Sequence, residues 1–135
     1  MKNPQTAIHI FNDNSCLFLC YLHWCGLDPD RLSSYMRYYA NALDKGYITE
    51  EAYVINPEGL IKDLTGRKVF IKKKRIDSIK EIKDLTPVIF KINQTEDAPG
   101  HFVLVKNGEI LFNPLKTSNC VENGKPYSAR VITYA

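Results

Sequence analysis

The chain has no apolar run long enough to cross a bilayer. Its first ten residues, Met-Lys-Asn-Pro-Gln-Thr-Ala-Ile-His-Ile, lack the long apolar core and small-residue cleavage site of a secretory signal. A cytoplasmic protein is therefore expected, without a membrane partner; were it to act elsewhere, another machine would have to carry or release it. Internal repeats, low-complexity tracts and linker-like segments are also missing, so residues 1–135 read as one domain, long enough to bury a core. Charge of one sign is scarce: the net charge is +3, too little to imply nucleic acid or a membrane surface by itself. At 44% hydrophobic and 24% charged residues, the composition argues against disorder.

Paired Cys-x-x-Cys motifs are absent as well. Of the four cysteines, Cys16, Cys20 and Cys25 fall within ten residues, and the first two lie one helical turn apart. That is poor geometry for a disulfide scaffold, so reduced thiols are expected. Cys16, Cys20 and His23 share an i, i+4, i+7 face and could be joined by Cys25 or Cys120 around zinc. Structural zinc sites usually draw ligands from two loops or knuckles, so no metal is expected, and no organic cofactor is required.

What the chain does have is Asp13-Asn14-Ser15 followed by Cys16-Leu17-Phe18-Leu19-Cys20-Tyr21-Leu22-His23-Trp24-Cys25-Gly26. Helix-capping residues lead into about two and a half turns with almost no polar face, closed by a glycine. A helix apolar all round belongs inside a domain. Cys16 falls in its first turn, where unpaired N–H groups and the helix dipole favour a thiolate, making it a candidate nucleophile.

Helical patterns continue through the first half. Asp28 and Pro29 read as an N-cap and first helical residue for a helix along Leu32, Tyr35, Met36, Tyr39, Ala40 and Leu43, ending near Gly46. Thr49-Glu50-Glu51 opens a short helical turn. Asn56-Pro57-Glu58 caps a further helix through Leu60, Ile61 and Leu64, ended by Gly66. The second half changes period: strands are expected at 68–72, 87–92, 101–105, 109–112 and 127–134, with a short helix or turn at 76–83. Helices first and antiparallel strands afterwards give an α+β domain.

A nucleophilic cysteine needs a base and a group to orient it. Of three histidines, His9 lies in the N-terminal segment and His23 on the central helix, where a core or rim role is expected. His101 follows a Pro-Gly loop and begins a strand, at a sheet edge where a loop opens onto a cleft. Its partner depends on the hairpin around Asn107-Gly108. A two-residue turn sets Asn113 opposite Phe102, on the wrong face. A three-residue loop with left-handed Gly108 sets Asn113 opposite His101 and gathers Phe102, Leu104, Ile110 and Phe112 on one face. The second gives the better core and is favoured.

Cys16 at the mouth of a buried helix, then Gly-His-Phe-Val-Leu-Val, a turn and Leu-Phe-Asn-Pro-Leu, resembles the papain-like cysteine peptidase superfamily, in its branch of C39 bacteriocin-processing peptidases. The stretch from Lys45-Gly46-Tyr47-Ile48 to Tyr53-Val54-Ile55-Asn56-Pro57 resembles small papain-like proteins of spirochaetes and phages, the DUF261 type among them. The resemblance implies a buried central helix packed with its neighbours on a C-terminal antiparallel sheet. It implies Cys16 as nucleophile, His101 as base and Asn113 as the residue orienting the histidine. The expected function is hydrolysis of an amide bond, in a peptide, an isopeptide or a peptidoglycan stem, by an enzyme made without a propeptide. The family places a glutamine six residues before the cysteine, where this chain has Ile10. Asn12 or Asn14 would then supply the oxyanion amide; failing that, the fold would serve as a catalytically inactive module binding a protein partner.

Three features have blander readings. Lys72-Lys73-Lys74-Arg75 reads as a strand end leaving the sheet, offset by Asp77, Glu81 and Asp84 on the following helix. No aromatic platform is interleaved with it, so no nucleic-acid partner is expected, though it could attract an acidic substrate or partner. Trp24 is expected to pack against the second helix. Cys120, in Thr117-Ser118-Asn119-Cys120, reads as an exposed thiol.

Overall fold

The computed structural model describes residues 14–29, 31–115 and 118–135. The apolar stretch forms α1 (Cys16–Trp24), with Phe18, Leu19, Cys20, Tyr21 and Leu22 all buried. A side chain of the size of Phe18 or Leu22 contributes roughly 1.5–3 kcal/mol when buried, which explains why so short a helix is stable in place. Helix α2 (Leu32–Asp44) buries Tyr35 and Ala42, and Tyr35 meets Phe18 edge-on at 5.8 Å. It begins later than Asp28-Pro29 suggests: its N-cap is Arg31, and Pro29 lies before the helix rather than in its first turn. Residues 49–51 form a turn inside an Ile48↔Val54 bridge, not a helical one. Helix α3 (Pro57–Thr65) has Pro57 in its first turn and is capped by the Asn56 side chain, which accepts the Gly59 N–H.

Five strands follow: β1 (Val69–Arg75), β2 (Thr86–Lys91), β3 (His101–Lys106), β4 (Glu109–Phe112) and β5 (Lys125–Tyr134). They form one antiparallel sheet in the order β1-β5-β2-β3-β4, giving the expected α+β fold. Strand alternation divides its residues between two faces. Phe102, Leu104, Ile89, Phe112, Ile132, Val69 and Ile71 meet the helical layer, with α1 lying against β3 and β2. Val88, Phe90, Val103, Val105 and Ala129 face the other way. They pack with residues of a 3-10 turn (Ile79–Glu81) and of α4 (Cys120–Asn123).

Two details differ from the sequence expectation and affect the site. The β3–β4 hairpin uses the two-residue turn, with Asn107 at φ 51° and Gly108 at φ 75°, the left-handed pair that matches strand twist. The register then slips: Val105 faces Ile110, but Leu104 faces Phe112, leaving Leu111 as a bulge. Ile110 consequently joins Val105 rather than Phe102 and Leu104. The bulge also restores the parity that a plain two-residue turn would lose. Continued by one pair, the register brings Asn113 opposite Val103, on the face that His101 shares. The second difference is the basic run, which does not leave the sheet. Lys72, Lys73, Lys74 and Arg75 all remain paired with β5 on an edge strand, where lysines discourage pairing with another chain. Glu81 is occupied in capping, accepting the Asp77 and Ser78 N–H groups. Among the described residues, no helix is long and apolar enough to cross a membrane.

Candidate active site

Cys16 is the first residue of α1, and partly exposed. Burial pushes its thiol above the ordinary range. Against that, the backbone N–H groups of Phe102, Leu17 and Cys16 itself pull it down, while the nearby Cys120 thiol pushes it slightly up. The helix mouth therefore supplies the expected N–H groups, but desolvation outweighs them. The thiol is held neutral, contrary to the thiolate expected from its position alone.

The Phe102 contact locates the sulfur. A strand's N–H groups lie in the plane of the sheet, so the thiol meets β3 from its side, one residue from His101. Strand β4 pairs with β3 no further than Leu104, two residues short of this point. The bulge and the end of β4 thus precede the segment where the helix mouth meets β3.

His101 opens β3, 4% exposed, and is paired with Phe90 of β2. The preceding Gly100 is required by space: a Cβ there would lie 2.6 Å from Ile89 Cγ1 and 2.8 Å from the Phe90 carbonyl oxygen. His101 Nε2 lies 2.6 Å from Asn113 Oδ1, which also accepts the Leu115 backbone N–H at 3.1 Å. An oxygen that accepts from Leu115 can only accept from the imidazole. Nε2 therefore carries the hydrogen and Nδ1 the basic lone pair.

A cleft of about 310 Å³ opens at Cys16, walled by Leu17, Ile89, Pro99, Gly100 and Phe102, with Asn14 at its rim. Asn14 thus lines the same cleft as the thiol; Asn12 lies outside the described residues, as do His9 and Ile10. The remaining cysteines contrast with Cys16. Cys20 is fully buried, which pushes its thiol far up, and Cys25 is raised by burial to about 11. All four are free thiols. Cys120 is not an exposed loop thiol: it starts α4 and is half-buried against the Val88–Phe90 side of the core. Among the described residues, no group of three His, Cys, Asp or Glu side chains converges as metal ligands. His23 does not line the cleft and is stacked on Phe112 at 4.2 Å. Trp24 donates to the Leu85 carbonyl, packs near Tyr134 and joins the core cluster that includes Tyr35 and Ala42 of α2.

Sequence reasoning missed the Phe102 N–H and the charge behind the cleft. The Arg130 guanidinium lies 5.1 Å over the Phe102 ring, on the face that meets α1. Strand alternation in Ala129-Arg130-Val131-Ile132 carried that signal, because it places Arg130 with Ile132. Residues 2–134 match a family model described as "Protein of unknown function, DUF261". No curated protein and no solved structure matches the chain.

Proposed function

We propose that this chain, which belongs to the DUF261 family, is a papain-like cysteine hydrolase of amide bonds, with Cys16 as nucleophile, His101 as general base and Asn113 as the residue that orients it. The observation that carries the reading is the 2.6 Å bond from His101 to Asn113, which leaves the basic lone pair on Nδ1 of a buried imidazole. One residue along β3, the Phe102 N–H acts on a thiol that burial keeps protonated and that needs a base to react at neutral pH.

In the proposed reaction His101 Nδ1 takes the thiol proton as Cys16 Sγ forms a bond to the substrate carbonyl carbon. The resulting oxyanion is held by the Cys16 N–H and the Asn14 amide. The imidazolium returns its proton to the leaving amine as the C–N bond breaks, giving a thioester. Water, losing its proton to His101, then attacks the thioester and releases the carboxylic acid with the thiol restored. Candidate substrates are a peptide, an isopeptide or a peptidoglycan stem.

A second reading is a catalytically inactive papain-like module that binds a protein partner. It is favoured by Ile10 at the usual oxyanion-glutamine position and by the burial that raises the Cys16 thiol. Iodoacetamide labelling of Cys16 across pH 6–10, read on the Cys16-containing peptide by mass spectrometry, separates the two. With a working base, His101→Ala slows labelling at pH 7 by about 10²-fold, within the range of a general base. Equal profiles with and without His101 would sink the hydrolase reading and leave the module.

A further inference from the structure

Four cations crowd the sheet beside the cleft. Lys73 and Arg130 are cross-strand partners, and Lys91 and Arg75 complete the group. Lys91 is 4% exposed, with Nζ donating to the Thr95 and Glu96 carbonyls at 2.8 Å and lying 4.2 Å over the Tyr127 ring. Arg75 stacks on the same ring at 3.8 Å and donates to the Ile76 and Tyr127 carbonyls. Two carboxylates answer them. Glu96 pairs with Lys73 and accepts the Tyr127 hydroxyl, and Asp97 acts on Lys91.

Arg130 is left over. Its guanidinium donates to the Ser128 hydroxyl at 3.0 Å and covers Phe102, with the Tyr21 phenol within electrostatic reach. Among the described residues no carboxylate pairs with it. Phe102 forms a wall of the cleft, and its backbone N–H acts on the Cys16 thiol. One aromatic residue therefore separates this partly buried cation, without a carboxylate partner among the described residues, from the reactive atom. A charge of this kind in a low-dielectric wall concentrates anions in the adjoining cleft.

Resting on the hydrolase reading, we infer that the cleft takes acyl donors bearing a carboxylate close to the scissile carbonyl, and that Arg130, with Lys73 behind it, is the residue that selects them. Across one ring the guanidinium acts on a carboxylate through its charge, whereas a glutamine side chain in the substrate would bring only a neutral partner.

The test uses two alkylating probes that differ in one charge: N-bromoacetyl-glutamic acid α-amide and N-bromoacetyl-glutamine α-amide. In each, Cys16 Sγ displaces bromide and its proton leaves to the base or buffer. Rates are followed on the Cys16 peptide and divided by those of free cysteine. The glutamate reagent is expected to react about tenfold faster than the glutamine reagent at low salt, as a partly buried charge acting across one ring implies. Raising the ionic strength shrinks that ratio. Arg130→Gln brings the ratio to that of free cysteine, and Arg130→Lys retains part of it. A wild-type ratio equal to that of free cysteine overturns the inference and leaves Arg130 as a cover for Phe102. A raised ratio that survives Arg130→Gln overturns it too. Neither result depends on turnover, so failure of the hydrolase reading shows separately, as labelling indifferent to His101→Ala.

Discussion

Helix α1 carries a cysteine and a histidine neighbourhood at each end, and only one is built for chemistry. Cys16 and Cys25 are both half-buried, and burial raises both thiols. At the N-terminal end three backbone N–H groups oppose that rise. At the C-terminal end Cys25 spends its own N–H on the Tyr21 and Leu22 carbonyls, and nothing opposes burial, so it reaches about 11. The histidines differ in the same way. His101 is fixed by an amide oxygen at 2.6 Å. Among the described residues, His23 Nδ1 is buried without a hydrogen-bond partner, and Asp28 Oδ1 at 3.9 Å is too distant to serve as one. Residue type alone does not make a site; the backbone donors and second partner around it do.

The strongest way to break this comparison is to remove each thiol in turn. Cys16→Ala is expected to reduce amide hydrolysis by about 10³-fold or more, as loss of a covalent nucleophile does. Cys25→Ala is expected to leave kcat/KM within a factor of two, because Cys25 has no part in the proposed mechanism. Steady-state kinetics on one peptide amide decides it: equal losses in the two variants would remove the distinction between the ends.

Next in size is Asn113. Its amide acts through His101, so Asn113→Ala is expected to lower kcat by less than the roughly 10²–10⁴-fold that a general base contributes. Its distinguishing mark is the pH–rate profile, whose acid limb should move because the imidazole loses its Nε2 partner, while KM holds. A fall in kcat with the profile unmoved would make Asn113 a merely structural residue.

The two ends were not equally legible in sequence. The apolar run of α1, the Asn56–Pro57 start of α3 and the Gly100-His101 strand opening each combine a local cap or turn signal with clear periodicity, and the fold class follows from them. The His101–Asn113 pairing was reached by the wrong route. The preference for a three-residue loop rested on gathering Ile110 with Phe102, whereas the chain uses the Asn107-Gly108 turn and recovers parity through a bulge at Leu111. Bulges have no sequence signature of comparable strength. The Cys16 thiol was misjudged because helix position is local, whereas desolvation depends on β3 and the loop before it. Arg130 escaped because an arginine in a strand is normally a solvated one.

A smaller effect sharpens the contrast through stability. Burial raises Cys16, Cys20 and Cys25, so these groups are held protonated in the folded state. An acid whose pKa is higher when folded contributes stability that is fully present below its unfolded pKa, and loses it as pH rises towards the folded value. The urea midpoint is expected to fall between pH 8 and 11. Cys25→Ala, which removes a group rising from the ordinary 9.0 to about 11, should flatten the fall within that window. A wild-type midpoint constant to pH 11 would mean that these thiols ionise in the folded protein at no penalty.

The smallest effect belongs to His23. Its ring is parallel to that of Phe112, 1° apart in tilt at 4.2 Å, a stack of the kind that contributes about 0.5–1.5 kcal/mol. The same ring buries an unpartnered nitrogen, which opposes that gain by a similar amount. His23→Phe keeps the stack and deletes the nitrogen, so it is expected to raise stability by about 1 kcal/mol in urea unfolding at pH 7. His23→Ala loses the stack and should fall below wild type. If His23→Phe instead destabilised the protein, the nitrogen would be satisfied in solution. The C-terminal end of α1 would then be closer in kind to the His101 end than the geometry indicates.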